Sequence, residues 1–237
     1  MTSWMVITAS EEPPGTINSI MDFKALFDFL STLRRHNSKA WMDANRNRYV
    51  GLRDDFKHWL QSLDLMLAEA DPGYFPTDAS KAINRINNNL KFHPDRPVYK
   101  DHFGAGLDRA PGTGDFYIQI GVGESLLAGG LWRPAPDKLQ SIREAIDYNG
   151  DELQKILAKK SFRRAFGGLY SDEPLKTAPK GFPRDHRHID LLRHKTFAVV
   201  HPLPKDVVLN SGFKEYVVQI YLEMLSFRRY LNHAISV

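Results

Sequence analysis

Between residues 19 and 33 the apolar positions Met21, Phe23, Leu26, Phe27, Leu30 and Leu33 recur at three- and four-residue intervals. That period predicts an amphipathic helix, capped by Asn18 or Ser19. A second, longer helix is predicted to open at Asn37 or Ser38. Its apolar face runs through Trp41, Ala44, Tyr49, Leu52, Phe56, Trp59, Leu60, Leu63 and Leu67, and Asp71-Pro72-Gly73 ends it. With only a few residues between them, the two should fold back as an antiparallel helical hairpin.

The period changes in the middle of the chain. Residues 115–121 and 125–132 are short β-like runs on either side of Gly121-Val122-Gly123-Glu124, which reads as a β-hairpin. Gly129-Gly130 inside the second run predicts a bulge or the close approach of another backbone or a ligand. Pro134 and Pro136 stop that strand. Pro136-Asp137 starts a helix through Leu139, Ile142 and Ile146, and Gly150 separates it from another with Leu153, Ile156 and Leu157. Residues 171–187 read as a long loop and 196–200 as a strand closed by Pro202 and Pro204. Residues 213–231 read as a helix with Val217, Ile220, Tyr221, Met224, Leu225 and Leu231 inward. Helices, then strands, then helices, without βαβ alternation, give an α+β fold: a small antiparallel sheet packed against several helices, with the helical hairpin at the N-terminus. We expect a single domain over 18–237 behind a flexible leader over 1–17, where Pro13-Pro14-Gly15 breaks the chain.

Composition narrows the chemistry. The 237 residues are 42% hydrophobic and 25% charged, enough apolar content for a packed core. Cysteine is absent, which removes disulfides, thiolate nucleophiles and cysteine-based metal sites. No run approaches the length of a membrane span, and the first residues lack the basic start of a signal peptide, so no membrane association and a cytoplasmic location are expected. Walker loops, complete dinucleotide fingerprints and Gly-x-Ser-x-Gly elbows are missing. His186-x-His188 with Asp185, Asp190 and His194 has ligand-like spacing, but Arg184, Arg187 and Arg193 lie among them and repel a cation. No metal and no cofactor is therefore expected.

The net charge of +4 is unevenly placed. Residues 155–195 carry eleven Lys or Arg against four Asp or Glu, and residues 81–109 carry six against three. Such regional basicity favours an anionic partner. The segment 82–102 is the strongest candidate site. Ile83, Ile86, Leu90, Phe92 and Tyr99 should anchor it to the core and hold Arg85, Lys91, Arg96 and Lys100 at defined positions for a phosphate or carboxylate. Asn87, Asn88 and Asn89 add donors and acceptors. Asp95 and His102 are the candidate proton-handling groups, and Trp132, Arg133, Lys176 and Lys180 could complete a rim.

These residues resemble the domain of unknown function 2461 family, a group of conserved hypothetical proteins. The likeness runs from Asp22 to about Leu203. It rests on Phe29-Leu30, Leu33, Asn37-Ser38-Lys39-Ala40-Trp41 and Tyr49. In the candidate segment the family pattern is Arg-Ile-x-Arg-Asp-x-Arg-Phe-x-x-Asp-Lys-x-Pro-Tyr-Lys. This chain meets it at Arg85, Ile86, Phe92, Asp95, Tyr99 and Lys100, with Lys91 and Arg96 as like-charge replacements. Tyr117, Gly130-Leu131-Trp132 with Pro134, Leu139, Ile142-Arg143, Leu175-Lys176, Pro179-Lys180-Gly181 and residues 191–197 extend it. Asn88-Asn89 stand where the family has Arg-Asp, and Val98 replaces its proline. The resemblance implies the family and no particular activity. Three functional readings follow in order: binding of an anionic small molecule with or without catalysis, nucleic-acid binding through 155–195, and a non-catalytic protein-interaction module. Oligomeric state is not legible in the sequence.

Overall fold

In a computed structural model, residues 21–170 and 173–236 are described; the leader over 1–17 and the caps expected at Asn18 and Ser19 lie outside them. Helix α1 (Phe23–Arg35) begins later than its periodicity suggests, and its cap is Asp22, whose carboxylate accepts the Ala25 amide at 2.9 Å. The long second helix is two. Helix α2 (Lys39–Ala44) is capped by the Ser38 hydroxyl on the Trp41 amide, and α3 (Arg46–Ala70) follows after a break at Asn45. There the backbone leaves helical geometry (φ −109°, ψ 15°) while the Asn45 side chain donates to the Trp41 carbonyl at 2.9 Å. A short polar side chain that bonds its own backbone competes with helix continuation, which periodicity alone does not register. The helical hairpin itself stands as expected.

After α4 (Ala79–Ala82) come the strands β1 (His102–Leu107), β2 (Phe116–Gly121) and β3 (Leu126–Leu131). The chain then forms α5 (Pro136–Ala158), α6 (Lys160–Phe166), α7 (Ile189–Leu192), β4 (Phe197–Pro202), α8 (Lys205–Val208) and α9 (Phe213–Ala234). All strands pair antiparallel in the order β1-β2-β3-β4. The β2–β3 hairpin and β4 match expectation. Strand β1 was not anticipated, although Phe103, Ala105 and Leu107 alternate with glycines and thus show period two. Helix α5 continues across Gly150 with a kink at Asn149.

One face of the sheet carries Phe103, Ala105, Leu107, Phe116, Ile118, Ile120, Leu127 and Val199, all buried. Phe103 meets Phe56 of α3 at 5.6 Å between ring centroids, and Phe116 meets Tyr221 of α9 at 5.2 Å. Each such side chain removed from water contributes about 1.5–3 kcal/mol. Gly129 lets α9 approach: a Cβ there would lie 2.2 Å from the Met224 sulfur. Gly130 (φ +107°) faces the Phe197 carbonyl and the Phe227 ring, so this glycine pair admits protein and not a ligand.

Charged groups lie inside this core: Arg228, Asp108 and Asp71 are all buried. Arg228 of α9 is 2% exposed and pairs with Asp108 at 2.6 Å, and it also donates to the Gly114 carbonyl at 2.8 Å. The Tyr221 hydroxyl bridges Asp108 and Asp71, 2.9 Å from each, and Arg229 reaches Asp71 at 2.6 Å. Asp108 sits at φ +52°, a conformation that aspartate tolerates better than most side chains. This network latches the end of β1 and the end of α3 to α9.

Candidate functional site

The candidate segment forms a hairpin arm built on the free edge of β1. Ile83 bridges Ala105 and the Asn84 amide donates to the Gly104 carbonyl at 2.8 Å, so the first leg continues the sheet. Farther out, the Lys100 amide donates to Ile86 at 2.8 Å, Asn87 opposes Tyr99, and the Asn88 amide donates to Val98 at 2.9 Å. Ile86 and Tyr99 are each 5% exposed and hold the two legs to the body. Asn37, between α1 and α2, grips the return leg with two bonds of 2.8 Å: its amide donates to the Tyr99 carbonyl, and its side-chain oxygen accepts the Tyr99 amide. That role of Asn37 was not legible from its residue type.

The tip over 89–97 is turned back by the Phe92 and His93 amides, which both donate to the Asn89 carbonyl, and by the Asn88 side chain on the Pro97 carbonyl. Here the expected anchoring fails. Leu90 is 37% exposed and Phe92 is 70% exposed, because the tip extends past the body and has no core to enter. Lys91, Asp95 and Arg96 are exposed with it.

Of the ligand-binding candidates, the arm gathers Arg85, Lys91, Arg96, Tyr99 and Lys100. Tyr99 is buried and positions the arm instead of meeting a ligand. The Lys100 ammonium donates to the Arg85 carbonyl at 2.7 Å. Burial, and then the charge of Arg96, pull the Lys100 pKa below its ordinary value. Among the described residues, none of Arg85, Lys91, Arg96 and Lys100 stands in an ion pair. His102 opens β1 with Nδ1 3.5 Å from Asp101, and burial pulls its pKa down while Asp101 acts the other way. Asp95 stands apart from it on the exposed tip.

Trp132, Lys176 and Lys180 do not join this group. Lys100 and His102 lie at the sheet end where His102 pairs with Gly121, whereas Trp132 follows the end where Leu131 pairs with Phe197. A six-residue strand separates those ends by roughly 17 Å. Trp132 packs instead against Tyr170, ring centroids 4.6 Å apart. Lys176 follows Leu175, whose amide bonds the Arg193 carbonyl near the start of β4, and Lys180 is an exposed loop residue. The expected rim is therefore corrected: it belongs to another part of the molecule.

Two concave regions were missed by sequence reasoning. A groove of about 1200 Å³ runs between α5 and α9, lined by Tyr148, Ile156, Phe162 and Tyr230. On its wall Glu223 accepts the Ser161 hydroxyl at 2.8 Å and pairs with Lys159 at 3.0 Å. Tyr148, off the apolar stripe of α5 and 90% exposed, is the signal that could have marked it. A second, of about 700 Å³, lies beside Phe23, Trp59, Leu65 and Leu209. Neither contains an arm residue. His186 and His188 lean on α5, with His186 2.8 Å from Asp147 and His188 3.4 Å from Asp151. Among the described residues no group of three potential ligands converges, and no helix is long and apolar enough to cross a membrane.

A family model described as "Conserved hypothetical protein (DUF2461)" matches residues 25–230. No curated protein and no solved structure matches the chain.

Proposed function

The chain belongs to the DUF2461 family, and on that premise we propose that its hairpin arm is an anion-binding element that takes a phosphate or carboxylate group between Arg85, Arg96 and Lys100. The observation that carries this reading is the Lys100 ammonium. It is partly withdrawn from water, faces the charge of Arg96, and has a carbonyl as its hydrogen-bond partner where a carboxylate would be expected. Like charges held together without a counter-ion cost free energy, and a bound anion recovers it. The arm residues line neither groove and the tip is exposed, so the arm suits a charged group presented from outside. Asp95 and His102 are not brought together there, and binding without catalysis is the reading the geometry supports.

The basic stretch 155–195 supports a partner less well. Lys159, Arg187 and Arg193 are paired with Glu223, Asp151 and Asp190. Phe162 and Phe166 are buried.

The test is thermal stability of wild type, Arg85→Ala and Lys100→Ala against inorganic phosphate, pyrophosphate and a dicarboxylate. A ligand at 100 times its Kd stabilises the native state by about 2.7 kcal/mol. Wild type should show a rise in Tm that both variants lose. Equal rises in all three proteins would reject the arm as the site.

A further inference from the structure

Phe92 is the least buried phenylalanine among the described residues, at 70% exposure, and it stands at the end of the arm instead of under it. A lone exposed apolar residue needs no explanation, but this one is carried on a hydrogen-bonded turn and has a cation beside its ring. The Phe92 and His93 amides share the Asn89 carbonyl at 3.2 and 3.0 Å, and the Arg96 amide closes on His93 at 3.2 Å. Pro94 and Pro97 restrict the backbone on the return side. The Lys91 ammonium lies 5.9 Å from the Phe92 ring centroid. The same arm carries Arg96 on the tip, Arg85 and Lys100 on the legs, and the exposed Asn87 and Asn89.

We propose that the arm binds single-stranded nucleic acid: Phe92 is a platform on which a base stacks, while Arg85, Arg96 and Lys100 hold phosphates. This rests on the anion-binding reading and gives that anion its source. A π-face on an arm that also carries Arg85, Lys91, Arg96 and Lys100 fits a chain in which every unit carries both a base and a phosphate. Duplex DNA fits poorly, since its bases are already stacked and the arm has no helix to lay in a groove. Exposed Asn87 and Asn89 offer donors and acceptors to the edges of an unpaired base. An anionic membrane surface is disfavoured by Asp95 and these asparagines on the same tip, which would have to approach the headgroups with the ring.

The experiment is fluorescence anisotropy with labelled oligouridylate and oligothymidylate of about 12 nucleotides, alongside an abasic phosphodiester of equal length, at about 50 and about 200 mM salt. Wild type should bind the base-bearing oligonucleotides more tightly than the abasic chain, and tighter at low salt. Phe92→Ala should weaken oligonucleotide binding about 5- to 150-fold and leave the abasic chain and inorganic phosphate unaffected. Phe92→Trp should retain affinity and add indole emission that is quenched on binding. Oligonucleotide affinity unchanged in Phe92→Ala, or abasic affinity equal to that of the oligonucleotides, overturns the nucleic-acid proposal while leaving anion binding in place. Phosphate and oligonucleotide binding both unchanged in Arg85→Ala and Lys100→Ala would instead overturn the anion reading on which it rests. Phe92-dependent binding to phosphatidylserine vesicles without oligonucleotide binding would assign the ring to membranes and also overturn the proposal.

Discussion

The two basic regions of this protein differ in what surrounds their charges. Residues 155–195 hold the larger excess of Lys and Arg; three of these cations, Lys159, Arg187 and Arg193, have carboxylates within 3.5 Å. Aromatic residues of that stretch are engaged as well: Phe162 and Phe166 are buried, and Tyr170 packs against Trp132. The arm holds fewer cations, but they are unpaired among the described residues, and its aromatic side chain points outward. On the anion-binding proposal, charge counted along a sequence does not by itself rank the two, because it ignores which cations the fold pairs. A cation already neutralised by its own fold has little left to offer, whereas one held near a like charge gains from an incoming anion.

The extreme of a neutralised cation is Arg228, and its removal should have the largest effect. Arg228→Ala leaves Asp108 buried and unpaired, and is expected to cost about 3–5 kcal/mol of stability by urea denaturation. A cost under about 1 kcal/mol would mean that water reaches Asp108 and that the latch is weaker than its geometry. Next comes the grip on the arm. Asn37→Ala removes both bonds to Tyr99 and should cost about 1–3 kcal/mol. It should also speed amide hydrogen exchange over 86–100 more than elsewhere; uniform exchange would show that the arm does not depend on Asn37.

The smallest effects compare the two regions directly. Lys159→Ala breaks a partly exposed pair and should lower stability by about 0–1 kcal/mol. Arg96→Gln should raise Tm slightly, by about 1 °C, at low salt, because it relieves Lys100. The sign with pH follows from the depressed pKa of Lys100. Above its folded pKa and below 10.5, the unfolded chain binds more protons, so this group's contribution to stability rises with pH. Arg96→Gln should shrink that rise. A fall in Tm in Arg96→Gln would show that Arg96 has a favourable partner and would erase the contrast between the regions.

Much of this architecture is written as period. The stripes of α1, α3 and α9, the β2–β3 hairpin and the prolines after β4 follow from local pattern, since burying one face of an element requires its apolar residues to recur in step. The α+β class and the helical hairpin come from their order. The basic arm was also recognisable as a site candidate from Arg85, Arg96 and Lys100, and Ile86 and Tyr99 do hold its legs to the body. What tertiary structure alone decided is which way ambiguous residues face and who meets whom. Phe92 looks like an anchor in sequence and stands in solvent, because the body ends before the tip begins. Trp132 reads as a neighbour of Lys100 and lies at the far end of the sheet, because β3 runs away from the arm. Gly129 reads as a bulge or the close approach of a backbone or a ligand, and it is Met224 of α9 that lies against it. Arg228, on the inward face of α9, finds Asp108 only through folding. Periodicity depends on residues a few positions apart, whereas exposure, pairing and proximity depend on partners many tens of residues away, and a single chain read along its length does not contain those distances.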